Sequence, residues 1–222
     1  MVGSAALMAF GNSAAQTYPT KPIRLLSGFP PGGGSDIVGR AIGLKLGERW
    51  KQSVIVDNRP GAGGTVAMTI TARSIADGYT LMMLSGSQIT NAALFAKLPQ
   101  DMTTALAPIT QVTTQAYLLL APTAFAATSV QDMLKLARAQ PEKIRFGSAG
   151  VGSVTHLGME LVGIVGNIKL THVPYKGSGQ VITDLIGGHI DLALATSLSA
   201  MSHVQGGRLK ALGITCLLYT SP

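Results

Sequence analysis

The chain has 222 residues, of which 46% are hydrophobic and 12% charged, and its formal net charge is +7. The lysines and arginines are scattered and do not alternate with aromatic residues, which argues against nucleic-acid binding. The single cysteine, Cys216, excludes an internal disulfide and a thiolate metal site, and the histidines lack any short metal-ligand spacing.

Residues 1–15 resemble the end of a secretory signal peptide. They contain the apolar stretch Val2–Phe10, and Ser13 and Ala15 are small residues at positions −3 and −1 of a cleavage point before Gln16. The positively charged start is missing, because the first lysine is Lys21. We therefore expect a signal-peptide remnant and export to the periplasm of a Gram-negative type of cell.

The first structural unit is a strand, a glycine-rich loop and a helix. The apolar run Ile23–Phe29 precedes Phe-Pro-Pro-Gly-Gly-Gly-Ser-Asp over Phe29–Asp36, and a helical pattern covers Ile37–Trp50. A helix N-terminus carries unsatisfied N–H groups and a partial positive charge, and glycines allow an anion to approach them. The loop therefore predicts an anion site.

Strands and helices alternate along the rest of the chain, which predicts α/β lobes with mostly parallel sheets. Hydrophobic patterns indicate strands at Ser53–Asp57, Thr80–Leu84, Ala107–Val112, Tyr117–Ala121, Ile144–Phe146, Leu170–Val173, His189–Ala195 and Leu209–Ile214. Helical patterns cover Thr65–Ser74, Ser129–Ala139, Leu157–Val165 and Gln180–Ile186.

Three further loops with small polar residues follow predicted strands. Phe146–Ser153 repeats the glycine-rich arrangement, Ser85-Gly86-Ser87 follows Leu84, and Thr196-Ser197 follows Ala195. Ligands of open α/β sheets bind beyond the carboxyl ends of the strands. We therefore expect these loops and the first one to converge on a single cleft that holds a small anion between two lobes.

No motif indicates a cofactor. Gly32-Gly33-Gly34 does not complete GxGxxG, because Ile37 stands at the last position, and GxxxxGK[ST] and GxSxG do not occur.

Ser153 and His156 lie three residues apart and could form a hydrolase site with Asp184 or Asp191. The alternative, which we favour, is that Ser153 caps a helix and His156 lines the cleft or packs. We expect no enzyme, no cofactor and no metal.

Several long motifs, in order, resemble one family. They are Tyr18–Arg24, Phe29–Asp36, Val56–Gly64, Asp77–Thr80, His172–Gly177 and Gly187–Asp191. They are similar to the Bug (TctC-type) receptors, the extracytoplasmic solute-binding proteins of tripartite tricarboxylate transporters. The resemblance implies a two-lobed type II periplasmic-binding-protein fold (Venus flytrap), here C-terminally truncated.

This resemblance also implies a division of the chain. We expect a signal-peptide remnant at 1–15, an incomplete α/β first lobe at 16–118, an α/β second lobe at 119–215 and a non-native tail at 216–222. In the family, the loop that matches Phe29–Asp36 holds a ligand carboxylate through backbone groups and ordered water. The loop that matches Ser148–His156 supplies contacts from the other lobe.

Together, the loops and the resemblance give the expected ligand-binding residues. They are Phe29, Gly32, Gly33, Gly34, Ser35, Asp36, Ser85, Gly86, Ser87, Ser148, Ala149, Gly150, Gly152, Ser153, His156, Tyr175, Thr196 and Ser197.

The expected function is a monomeric periplasmic receptor that captures a small carboxylate and delivers it to transporter subunits in the membrane. Many relatives carry an acidic residue followed by Asn where this chain has Ala195-Thr196, which removes a partner for an ammonium group. We therefore expect a di- or tricarboxylate in preference to an amino acid. The alternatives are a sensor that presents its ligand to a membrane kinase and the hydrolase that uses Ser153 and His156.

Overall fold

The computed structural model of the protein describes residues 17–94 and 104–215. The expected signal peptide, the expected non-native tail and Cys216 lie outside these ranges. No helix within them is both long and apolar enough to cross a membrane. In the same ranges, no three His, Cys, Asp or Glu side chains come together as a metal site.

The first lobe contains a three-stranded parallel sheet in the order β2-β1-β3. Its elements in chain order are β1 (Ile23–Ser27), α1 (Gly34–Trp50), β2 (Val54–Asn58), α2 (Thr65–Ala72), β3 (Thr80–Met83) and α3 (Gly86–Leu94). A short 3-10 turn, Ala62–Gly64, precedes α2. The central strand β1 pairs Leu25 with Val56 on one side and with Leu81 on the other.

The second lobe contains a five-stranded mixed sheet in the order β6-β5-β7-β4-β8. Its elements are β4 (Tyr117–Pro122), α4 (Val130–Ala139), β5 (Arg145–Ser148), α5 (Val154–Gly166), β6 (Thr171–Pro174), α6 (Ser178–Ile186), β7 (Leu192–Thr196), α7 (Ser197–Gln205) and β8 (Leu209–Ile214). Strand β4 runs antiparallel to both of its neighbours. Every residue of β4 pairs within this sheet. The expected boundary between the lobes, after residue 118, stays a prediction.

The structure corrects the sequence-based elements in three places. The strand expected at Ala107–Val112 is wrong: this segment is irregular, and its Ile109 side chain is 78% exposed. Helices α3 and α7 were not predicted. Both begin with small polar residues, Gly86-Ser87 and Ser197, which we interpreted as loops because such residues favour turns.

Apolar residues cover both faces of the second sheet, because successive strand side chains point to opposite sides. Leu119 packs with Phe146 and Met133 on one face, whereas Leu120 packs with Leu185 on the other. Helix α4 is fixed at its start by Ser129, whose hydroxyl accepts a hydrogen bond from the Asp132 amide. The two buried faces make this lobe a rigid wall for anything bound beside it.

The replacement Met133→Ala tests this core. Met133 is fully buried in α4, so we expect a loss of about 2–5 kcal/mol in the free energy of unfolding. The matched control is Met201→Ala in α7, whose side chain is 40% exposed; it should change stability by less than about 0.5 kcal/mol. Urea titration followed by circular dichroism measures both, and equal losses would contradict the core assignment.

Candidate functional site

A cavity of about 220 Å³ lies between the two lobes, where the carboxyl ends of β1, β3 and β7 meet. The expected residues that line it are Phe29, Gly33, Gly34, Ser35, Ser85, Gly86, Ser87, Ala149 and Thr196. These residues come from all four predicted loops. The structure therefore brings the loops together around one space.

The cavity also has lining residues that the sequence reasoning missed. They are Val38, Met83, Leu84, Thr113, Gln115, Tyr117, Thr155 and Ser178. Tyr117 stands at the beginning of β4, but β4 is antiparallel to β7, so Tyr117 pairs in register with Thr196 at the cavity. A search limited to the carboxyl ends of parallel strands could not find it.

The start of α1 forms one wall of the cavity. Gly33 occupies the N-cap position and therefore has no side chain to cap the helix. Gly34 and Ser35, the first two helical residues, line the cavity. The partial positive charge and the N–H groups of the first helical turn therefore lie at the cavity wall.

Asp36 lies beneath this loop and does not line the cavity. Its carboxylate is buried and accepts hydrogen bonds from the Gly32 amide at 3.0 Å, the Arg40 Nε at 3.0 Å and the Asn58 Nδ2 at 2.9 Å. These contacts connect the loop to α1 and β2. Asp36 and Gly32 therefore hold the loop in shape.

The hydrogen bonds around Asp36 also set its ionisation. Burial by itself raises the pKa of the carboxyl, but the bonds from Arg40, the Gly32 amide and Asn58 outweigh burial. The net result is a pKa below its ordinary value. The carboxylate stays ionised, so Arg40 remains paired with it at 3.0 Å.

The second glycine loop is built differently, because its amides are satisfied inside the protein. Ala149 donates to Thr155 Oγ1 at 3.0 Å, Gly150 donates to Ser148 Oγ at 3.2 Å, and Gly152 donates to His156 Nδ1 at 3.3 Å. Only Ala149 of this loop lines the cavity. The structure thus differs from our expectation of two equivalent anion-binding loops.

The amides at the start of α5 are also hydrogen-bonded within the protein. The hydroxyl of Ser153 accepts a hydrogen bond from the His156 amide at 3.2 Å. The hydroxyl of Ser87, which comes from α3 in the first lobe, accepts another from the Val154 amide at 3.2 Å. This helix start therefore connects the two lobes.

The other expected residues of the second lobe serve its internal structure. The Tyr175 hydroxyl donates to Asp184 at 2.7 Å, and burial together with this bond raises the pKa of Tyr175 to about 12. Ser197 donates its amide to the Ala116 carbonyl at 3.0 Å.

The expected residues outside the cavity lining are Gly32, Asp36, Ser148, Gly150, Gly152, Ser153, His156, Tyr175 and Ser197.

Two of the histidines, His156 and His172, stack with Phe146 behind the second loop. The ring centroids of Phe146 and His172 are 4.8 Å apart, and those of His172 and His156 are 4.0 Å apart. Ser148 Oγ is hydrogen-bonded to His172 Nε2 at 2.7 Å. Burial, with a smaller effect from His156, lowers the pKa of His172 to about 4, so this ring is neutral near pH 7.

The arrangement gives no support to the hydrolase alternative. Ser153 is fully buried and caps α5, and His156 Nδ1 accepts the Gly152 amide. Asp184 is paired with Tyr175, and Asp191 forms an ion pair with Arg145 at 3.1 Å. Among the described residues, no hydrogen bond joins the Ser153 hydroxyl to a histidine ring.

Among the residues that the structure describes, none that lines the cavity is an Asp, Glu, Lys, Arg or His. The polar groups are hydroxyls, the Gln115 amide and the backbone of the helix starts. Tyr117 adds a phenol whose pKa is raised by burial, so it remains a neutral donor. Such a cavity provides hydrogen bonds to an anion without a formal countercharge, and it offers no carboxylate to an ammonium group.

Residues 38–217 match the family model described as the tripartite tricarboxylate transporter family receptor. The chain is 36% identical over 211 residues to a UPF0065 protein of Bordetella pertussis. This match covers 95% of the chain and 65% of that relative, so the chain spans less than two thirds of the relative's length.

Two solved structures extend the comparison. Rpa4515 of R. palustris with adipate has a TM-score of 0.87 and 30% identity, over 90% of this chain and 67% of that one. The periplasmic binding protein BugD has a TM-score of 0.86 and 26% identity, again over 90% and 67%. The expected periplasmic-binding-protein fold is therefore confirmed.

The replacement Asp36→Asn tests how the glycine loop is held. An amide cannot accept the three charge-assisted bonds, so we expect a loss of about 1.5–3 kcal/mol in the free energy of unfolding at pH 7. The folded-state pKa lies below the unfolded value of about 3.9. The wild-type advantage should therefore be complete above about pH 4 and disappear as the pH falls through the folded pKa.

The control for this prediction is Asp77→Asn. Asp77 pairs with Lys21 at the surface, and exposed ion pairs contribute little. In urea titrations at matched pH, Asp77→Asn should lower the free energy of unfolding by less than Asp36→Asn does. A wild-type advantage over Asp36→Asn that did not decline as the pH fell below about 4 would be contrary to the assigned ionisation.

Proposed function

The chain belongs to the tripartite tricarboxylate transporter receptor family, and on this basis we propose that it captures a small carboxylate outside the cytoplasm for a membrane transporter. The carboxylate binds in the cavity between the lobes, against the start of α1. The observation that carries the proposal is the placement of Gly33, Gly34 and Ser35 on a cavity wall to which the described part of the chain contributes no charged side chain.

The energetics of this wall favour a carboxylate. Each hydrogen bond from a backbone N–H to a charged group contributes about 1.5–3 kcal/mol. The helix dipole adds attraction for negative charge in the first turn. Two or three such bonds offset much of the desolvation of the ligand without an arginine or lysine.

The same wall disfavours an amino acid. A buried ammonium group needs an acceptor with negative charge, and none of the described lining residues is acidic. Thr196 supplies a hydroxyl that is already paired with Ser199 at 2.9 Å. The substrate class is therefore a di- or tricarboxylate. The relative Rpa4515, which was solved with adipate, supports this assignment.

Capture and delivery follow from the position of the cavity. Its walls come from both lobes, so a bound ligand contacts both and favours the arrangement in which they meet. Membrane subunits can recognise that arrangement and receive the ligand. The family description supports this transport role, and the similarity to the periplasmic binding protein BugD supports a periplasmic location.

A thermal-shift screen tests the proposed ligand class. A carboxylate at about 100 times its dissociation constant stabilises the folded chain by about 2.7 kcal/mol, which raises the melting temperature measurably. We expect a shift with some members of a panel of di- and tricarboxylates. Amino acids with the same carbon skeletons are the control. Shifts confined to amino acids, or no shift at all, would refute the proposal.

The replacement Gly33→Val tests where the carboxylate binds. Gly33 has φ −79°, and an added Cβ would meet no atom closer than 3.7 Å, so the variant should fold normally. The isopropyl group would occupy the path of the anion. We expect the affinity measured by isothermal titration calorimetry to fall by about tenfold or more, because at least one charge-assisted hydrogen bond is lost. Unchanged affinity would place the ligand elsewhere.

A further inference from the structure

The two lobes contact each other directly beside the cavity. The Thr90 hydroxyl of α3 donates to the Gly152 carbonyl at 3.0 Å, and Ser87 of α3 accepts the Val154 amide of α5. These contacts join the first lobe to the second on one side. The spacing of the lobes is therefore set by the atoms that meet there and on the opposite side.

Gly177, at the N-cap of α6, makes the tightest of these approaches. A Cβ built on Gly177 would lie 2.5 Å from Cδ and 3.0 Å from Cγ of Pro30, which belongs to the first glycine loop. The φ of Gly177 is 165°, an extended value that any residue adopts. Its backbone conformation therefore does not require glycine, whereas the approach of Pro30 does.

A second glycine meets the opposite lobe in the same way. A Cβ on Gly86, the first residue of α3, would lie 3.0 Å from Cγ2 of Val154. Gly86 and Gly177 thus place bare backbone against side chains of the other lobe. We call these two residues the glycine seam.

We propose that the glycine seam is a specificity determinant, because it fixes how closely the lobes approach and hence the length of carboxylate that the cavity accepts. The inference rests on the proposed function. Gly86 itself lines the cavity, but neither Gly177 nor Pro30 does, so a change at Gly177 tests lobe spacing without replacing a lining residue.

The cavity dimensions connect the seam to ligand size. Its volume of about 220 Å³ is below the roughly 300–1,000 Å³ of pockets that hold drug-sized ligands. A short diacid reaches both the α1 start and the second lobe only while the lobes stay this close. An added methyl group at the seam moves the walls apart, and a longer diacid then spans the gap better.

The test compares Gly177→Ala with Gly179→Ala, a matched variant two residues along the same helix start. An added Cβ at Gly179 meets the Pro31 carbonyl at 3.4 Å, an ordinary contact. Calorimetric titration with succinate and with adipate gives the affinity of each chain. We expect Gly177→Ala to bind succinate about tenfold more weakly and to lose less affinity for adipate.

The double variant Pro30→Ala/Gly177→Ala removes the two ring atoms that the new methyl group meets. It should recover part of the lost succinate affinity, which direct loss of a ligand contact would not allow. Equal succinate-to-adipate ratios in wild type, Gly177→Ala and Gly179→Ala would overturn the proposal. So would a double variant no better than Gly177→Ala.

A distance measurement separates failure of this inference from failure of the proposed function. Spin labels replace the exposed Leu44 of α1 and Ile164 of α5 in a Cys216→Ser background. The distribution of distances between the two labels should contain a shortest population in wild type and in Gly179→Ala. This population should be absent from Gly177→Ala. That outcome supports the seam even if no carboxylate binds, whereas identical distributions in all three chains overturn it.

Discussion

The buried carboxylate of Asp36 is the interaction on which the site depends. It accepts the Gly32 amide, Arg40 and Asn58, and so connects the first glycine loop to the helix behind it and to strand β2. With the loop held from below, the first helical residues face the cavity. A chain that relied on the loop's own glycines would have no means of holding it in one conformation. The shape of this cavity wall is therefore a consequence of a structural ion pair outside the cavity.

The two glycine loops look alike in sequence and differ in what their amides do. In the first loop, the helix start is left without a side-chain cap and lines the cavity. In the second, Thr155, His156 and Ser148 satisfy the amides, and the helix start is capped by Ser153 and by Ser87 of the other lobe. The first lobe therefore places an uncapped helix start at the cavity, whereas the loop amides of the second lobe are hydrogen-bonded internally.

Much of the fold could be predicted because local signals were strong. Strand β1, its glycine loop and α1 follow from an apolar run, a loop and a helical pattern, and Ser129 marks the start of α4. Prediction failed where local chemistry and tertiary context disagreed. Small polar residues at Gly86 and Ser197 suggested loops, but both begin helices. The β-branched Ile109 and Val112 suggested a strand, but no neighbouring strand of the described residues pairs with this segment.

By itself, the sequence determined the family, the alternation of strands and helices, and the loops that surround the cavity, because these depend on residue patterns within short segments. Only the tertiary structure decided which residues of those loops line the cavity. Tyr117 lines the cavity because β4 runs against β7, and His156 is withdrawn because a nearby amide donates to its ring. Hydrogen-bond partners and strand direction are relations between distant segments, and a linear pattern does not specify them.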